Sequence, residues 1–282
     1  MVLESIVNYL SAEKRPDEML LYGFIITTLS IFLALWVFPS YASFVTVTFI
    51  IMAVSPVMAQ IMQFEKEKQE NAGIWWMQVI AHKKAVIFFI FLFLGFTLAY
   101  VFWFLMLPTG ITNSLFSLQA NTIAEVNNPT GSAIAIQDTF ANIFVNNIRI
   151  LALSILFSLI FGSGVIFILA WNASVLGVAM ATAIKIAVAA SGNGSAAYFG
   201  AFSFAIVRYL LHGIPEITAF FLGGLAGGII SFTILDYKLG LKKFLSKMSN
   251  SLKDASMLTV SAILLLVLAT LIEVFVTPMF IL

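Results

Sequence analysis

The sequence predicts an all-α fold: a polytopic helical membrane protein with about seven transmembrane helices. One further helix is predicted to be broken or re-entrant, and amphipathic interfacial helices flank the core. Three observations predict this class. Hydrophobic residues make up 61% of the 282 residues and charged residues 10%, against roughly 25% charged in a soluble domain. Mean hydropathy is +1.06. Several apolar runs exceed the ~18 residues that mark a bilayer span. They are continuous rather than alternating, which selects helices over a closed barrel. The same figures exclude a soluble globular domain and a disordered chain, and the absence of cysteine excludes a disulfide scaffold. A net charge of +1 leaves no electrostatic footprint for nucleic acid.

From the N-terminus, Leu3, Ile6, Val7 and Leu10 follow helical spacing, so residues 1–19 read as a cytoplasmic amphipathic segment. Spans are predicted at Leu20–Phe38, Ala42–Met62 and Ala85–Leu107, with Trp75 and Trp76 in the aromatic belt before the third. Residues 20–84 form a peripheral hairpin with its cytoplasmic loop, and residues 85–282 form the membrane core. Pro108–Asn142 is the longest external segment, and a connection of that length often carries function. Ile136, Phe140, Ile143 and Phe144 predict an interfacial helix leading into a fourth span, Ile143–Ala170. Ser174–Ala190, Pro215–Leu235 and Met257–Val276 complete the set. Between the last two, Leu241, Phe244, Leu245, Met248 and Leu252 repeat an amphipathic pattern beside lysines, as a helix lying on the inner membrane surface would.

Basic residues set the orientation. Of the 14 Lys and Arg, eleven lie before the first span, between the second and third, or before the last. With seven crossings all eleven share one side, which the positive-inside rule makes cytoplasmic, with the C-terminus outside. The stretch Ala197–Leu235 is too long for one crossing of a ~30 Å core, yet two crossings would invert the lysines that follow. Ala197–Leu211 is therefore expected to insert partway, with the helix broken at Gly213 and Pro215.

Eleven of 17 glycines lie between Ile143 and Leu235. Gly162, Gly164, Gly177 and the run Gly223, Gly224, Gly227 and Gly228 are read as sites of close helix packing or breaks. Ionisable groups inside apolar runs are functional hypotheses by default. Arg149 is expected ~9 Å below the outer surface, and Glu273 ~24 Å above the inner one. The matching depths predict an Arg149–Glu273 pair. His212 and Glu216 share a helix face if the turn continues. Asn146, Asn147, Arg149, Arg208, His212, Glu216 and Glu273 are thus expected to form one buried polar cluster. It could lock helices together, carry an ion or proton, or hold a partner or substrate. Enzyme chemistry is not expected: no G-x-S-x-G, Walker or zincin pattern occurs, and no cofactor or metal is implied.

Five segments resemble the stage II sporulation protein M family. They are Phe144 to Arg149, Phe161 to Gly164, Asn172 to Gly177, His212 to Glu216 with the glycine run after it, and Ile272 to Pro278. The resemblance covers about Ala85 to Leu282, and the hairpin before it is similar to one in archaeal relatives. Ala173 and Leu211 stand where relatives usually have glycine and proline. The resemblance implies a multi-pass anchor that recruits cell-wall hydrolases to a membrane-remodelling complex. The expected function is a non-enzymatic membrane scaffold in the cell membrane. Its partners would be lipid and other membrane or envelope proteins, and it could form a homo-oligomer. The alternative is a small transporter or channel that uses the broken helix and buried Arg, His and Glu.

Overall fold

A computed structural model describes residues 16–67, 80–127, 136–191, 194–239 and 241–280. Residues 1–15 of the predicted N-terminal amphipathic segment, Trp75 and Trp76 lie outside them, and Pro16–Met19 open the first helix. The described residues are helical almost throughout, and seven helices are long and apolar enough to cross a membrane. The protein is a polytopic membrane protein of all-α fold.

Helices α1 (Pro16–Val37), α2 (Ala42–Glu67) and α3 (Lys83–Met106) come first. Two short helices follow, α4 (Thr109–Leu115) and α5 (Ser117–Asn127). The core continues with α6 (Ile136–Phe161), α7 (Val165–Ser191), α8 (Ser195–Ile234) and α9 (Leu241–Leu271). A π-helical turn, Ile272–Val276, and a 3-10 turn, Thr277–Phe280, complete the described chain. Helix α8 packs on α6, α7 and α9, and α3 packs on α1 and α7. α8 and α9 form an antiparallel hairpin. Thr233 meets Ser251 at 2.7 Å near its closed end, and His212 meets Thr277 at 3.2 Å toward its open end.

Four expectations are corrected here. The fourth and fifth spans divide at Gly162–Gly164, not near Asn172. Gly162 adopts φ +70°, a left-handed turn that L side chains avoid. The Ser158 hydroxyl then accepts the Val165 N–H at 2.9 Å and caps α7. Second, α8 is one 40-residue helix with Pro215 inside it, and no break occurs at Gly213 or Pro215. Proline withholds one N–H from the helix ladder, a loss that neighbouring helices in a membrane bundle accommodate. Third, the lysine-bearing amphipathic stretch is not a separate surface helix, because Leu241–Leu271 is continuous. Fourth, the interfacial segment at Ile136 is simply the opening of α6.

The first two spans contain a single glycine, Gly23, and read as a peripheral hairpin. The structure shows how α1 is fastened. A Cβ on Gly95 would strike the Leu20 carbonyl oxygen, and one on Gly23 would sit 2.7 Å from the Leu92 carbonyl oxygen. The two backbones meet glycine to glycine, which gains dispersion contact where no hydrophobic drive separates helix from lipid.

Charges gather at the lysine-bearing end of the bundle. Asp236 accepts from Lys66 at 2.9 Å and from Lys247 at 2.6 Å, tying α2, α8 and α9 together. Lys66 also donates to the Phe232 carbonyl at 3.3 Å. Nearby, His82 and Glu65 meet at 2.6 Å. The Lys66 side chain keeps only 10% of its surface exposed, so it depends on Asp236. Asp236→Ala should lower stability by roughly 2 kcal/mol, less than a fully buried pair because Asp236 is partly solvated. Thermal unfolding in detergent reads this loss, and Asp236→Glu should recover most of it.

Candidate functional site

The site forms around the middle of α8. Arg208, Tyr209, His212, Gly213, Glu216 and Ile217 follow one another on one face, at the three- and four-residue spacing that stacks side chains on a helix. Opposite them, α7 contributes Asn172, Val175, Leu176 and Ala179, and α3 contributes Phe93. Ile123 of α5 and, past α9, Glu273 and Thr277 complete the wall around a cavity of about 330 Å³. Glu273 sits on the π-helical turn, whose wider winding changes the direction of side chains relative to the α-helix before it.

The cavity runs from the middle of α3 toward the end of the bundle away from the lysines. Phe93 is ten residues along α3 from Lys83 and thirteen from Met106, about 15 Å and 20 Å of helix. Glu216 is twenty residues from Asp236, about 30 Å. A second cavity, of about 510 Å³, continues from the first between α7 and α8. The two share Ile123, Ala179, Arg208 and Tyr209. The second also reaches Ala190 and Phe204, away from the lysine-bearing end. On the lysine side of the cavity Phe89 stacks on Phe221 with ring centroids 4.2 Å apart, and Phe88, Phe220 and Leu222 are buried.

Hydrogen bonds within the site are few. Asn147 of α6 donates to Glu216 at 2.5 Å. Asn172 donates to the Ile168 carbonyl at 2.8 Å. Thr277 lies 3.2 Å from His212 Nδ1 and 3.3 Å from the Ile272 carbonyl. Among the described residues Glu273 makes no hydrogen bond or ion pair, and Arg208 makes only a contact with the Tyr209 ring at 5.4 Å. Glu216 and Glu273 both line the cavity, as do Arg208 and His212. Among the described residues no three of His, Cys, Asp or Glu gather as a metal site.

The structure brings together five of the seven predicted polar residues: Asn147, Arg208, His212, Glu216 and Glu273. The other two are corrected. Arg149 and Asn146 are exposed. The Arg149–Glu273 pair does not form, because successive residues turn about 100° around a helix and Asn147 takes the inward position. Lys185 is also exposed, with its ammonium 4.5 Å from the Phe104 ring centre. Asn172 and Thr277 were not expected in the site. Asn172 read as part of a turn between spans, and only its polarity within an apolar stretch could have signalled it.

The glycines separate by neighbour. Gly164 packs on the Phe157 backbone, Gly177 on Tyr100, Gly223 on Leu151, Gly224 on Val165, Gly227 on the Ile155 backbone and Gly228 on Met62. Gly213 faces open space, with nothing within 4 Å of a Cβ placed there. On the far side of α7, Gln119 of α5 donates to Ser174 at 3.2 Å and accepts from Ser43 at 2.7 Å, which fastens α5 beside the cavity.

The family model described as stage II sporulation protein M matches residues 23–278, a range that takes in most of the N-terminal hairpin as well as the core. No curated protein and no solved structure matches the chain.

Proposed function

The chain belongs to the stage II sporulation protein M family, and from that premise we propose a non-enzymatic membrane protein that admits a small solute or ion to a mid-membrane pocket and passes it across. The supporting observation is the cavity lined by Arg208, His212, Glu216 and Glu273, which continues into a second cavity away from the lysine-bearing end. Ionisable groups at this depth carry a large desolvation cost, and in membrane proteins they mark solute or proton paths. A purely structural lock would join the charges to each other. Here Glu273 and Arg208 have no ion-pair partner among the described residues. The lysine-bearing end is taken as cytoplasmic in a cell membrane, with the N-terminus inside and the C-terminus outside. The cavities then open from the exterior, and the Phe89–Phe221 stack is the inner seal.

Proton entry into proteoliposomes, driven by a potassium diffusion potential and read by a trapped pH indicator, tests the proposal. Wild type should exceed protein-free vesicles, and Glu273→Gln should fall to their rate. If wild type moves neither protons, sodium nor alkylammonium ions faster than protein-free vesicles, the passage reading is lost.

A second reading, a scaffold for an envelope or membrane-remodelling complex, is favoured by the start of α9. Leu241, Leu245 and Leu252 are exposed there beside exposed Lys242, Lys243 and Lys253. Such a face suits anionic lipid, a membrane or envelope partner, or a second copy of the chain.

A further inference from the structure

We propose that the mid-membrane pocket takes a primary alkylammonium ion, its ammonium held by Glu216 and Glu273 and its chain lying against Phe93, Val175 and Leu176. This rests on the reading of the pocket as a solute site and names the chemistry of its ligand. The argument is an inventory of donors and acceptors.

Asn172 directs its amide nitrogen to the Ile168 carbonyl at 2.8 Å, because a carbonyl can only accept. Its own side-chain oxygen remains an acceptor. Thr277 has a single hydroxyl proton and two neighbours. The Ile272 carbonyl, at 3.3 Å, cannot donate, so the hydroxyl donates there. The Thr277 oxygen then accepts from His212 Nδ1, at 3.2 Å. In that arrangement Nε2 is left as a lone-pair nitrogen. Asn147 gives one amide N–H to Glu216. The acceptors facing the inner pocket are the two Glu side chains, an amide oxygen and an imidazole nitrogen, with the second amide N–H of Asn172 and the Tyr209 hydroxyl beside them.

A ligand that meets these acceptors is rich in N–H donors, and an –NH₃⁺ group carries three. The remaining wall is apolar, with Phe93, Val175, Leu176 and Ile217, which suits a hydrocarbon chain and not a fully hydrated ion. An α-amino acid fits poorly. The one cation that could meet its carboxylate, Arg208, is eight residues from Glu216 along α8, about 12 Å, and lies over the Tyr209 ring. An anion would meet the two Glu side chains with no cation beside them. Arg208, at the junction with the second cavity, opposes entry of a cation and thereby sets the affinity.

Titration calorimetry on the purified full chain in nanodiscs tests the assignment, with n-butylammonium, n-butanol and n-butyrate as probes. Only n-butylammonium should bind. Glu273→Gln should weaken it about tenfold or more. Arg208→Gln should tighten it several-fold, a gain that misfolding cannot produce. Equal binding of n-butanol would reduce the pocket to an apolar crevice and overturn the proposal. So would binding of n-butyrate, no binding of n-butylammonium, or weaker binding by Arg208→Gln. Proton flux with no n-butylammonium binding overturns the ligand class and leaves passage standing. Binding that obeys these rules without flux supports the ligand class and removes passage.

Discussion

Gly227→Leu is expected to dismantle the packing of α6 against α8. A Cβ at 227 would strike the Ile155 carbonyl oxygen and lie 3.0 Å from the Leu159 nitrogen. Both obstacles are backbone, so no change of rotamer makes room, and α6 must move as a body. That movement also strips Gly223 of its contacts with Leu151 and Ile155. The cost should exceed the usual overpacking penalty of about 1–3 kcal/mol. Thermal unfolding in detergent should fall by about 10 °C or more. Gly223→Ala, which meets the flexible tip of Leu151 at its closest approach, should cost visibly less. An unchanged midpoint for Gly227→Leu would show that α6 and α8 are not held in this contact.

The same substitution fourteen residues earlier is expected to do the reverse. Gly213 is buried yet faces the cavity, with nothing within 4 Å of a Cβ placed there. Gly213→Leu should fill part of the 330 Å³ space between Glu216 and Arg208. Replacing a helical glycine removes a backbone-entropy penalty of about 1 kcal/mol, so stability should hold or rise. Proton flux and n-butylammonium binding should both be lost. A folded Gly213→Leu that keeps wild-type flux would remove the pocket from the path. Gly213→Ala, which occupies little of the space, should keep most of the flux and share the gain in stability.

These two glycines show where the sequence stops being informative. Both lie in α8, both read as packing or break positions, and their neighbours in sequence do not distinguish them. One faces a helix backbone and the other faces a void. That difference is set by residues such as Ile155, contributed from α6. The same limit applies at 146, 147 and 149. Depth along a helix follows from counting residues, and it placed Asn147 near Glu216 and Glu273. Azimuth depends on how α6 is rotated against α8, and that rotation turned Arg149 outward.

Turn geometry was partly legible. Gly162 and Gly164 stood out as special, but the apolar run continued through them, so the division between α6 and α7 read nine residues late. Pro215 misled in the opposite direction. A proline weakens helices in water, but in this bundle the backbone through Pro215 stays helical.

By itself the sequence determined the class of molecule, the seven apolar helices and the existence of a polar set inside them. Each follows from the bilayer, which every span meets alone: backbone groups must be satisfied within the span, and each charge carries its own desolvation cost. Tertiary structure alone decided which of those charges converge and that two cavities sharing Arg208 form between α7 and α8 beside them. Those outcomes depend on the relative rotation and closeness of helices far apart in sequence, and packing among many side chains at once sets both.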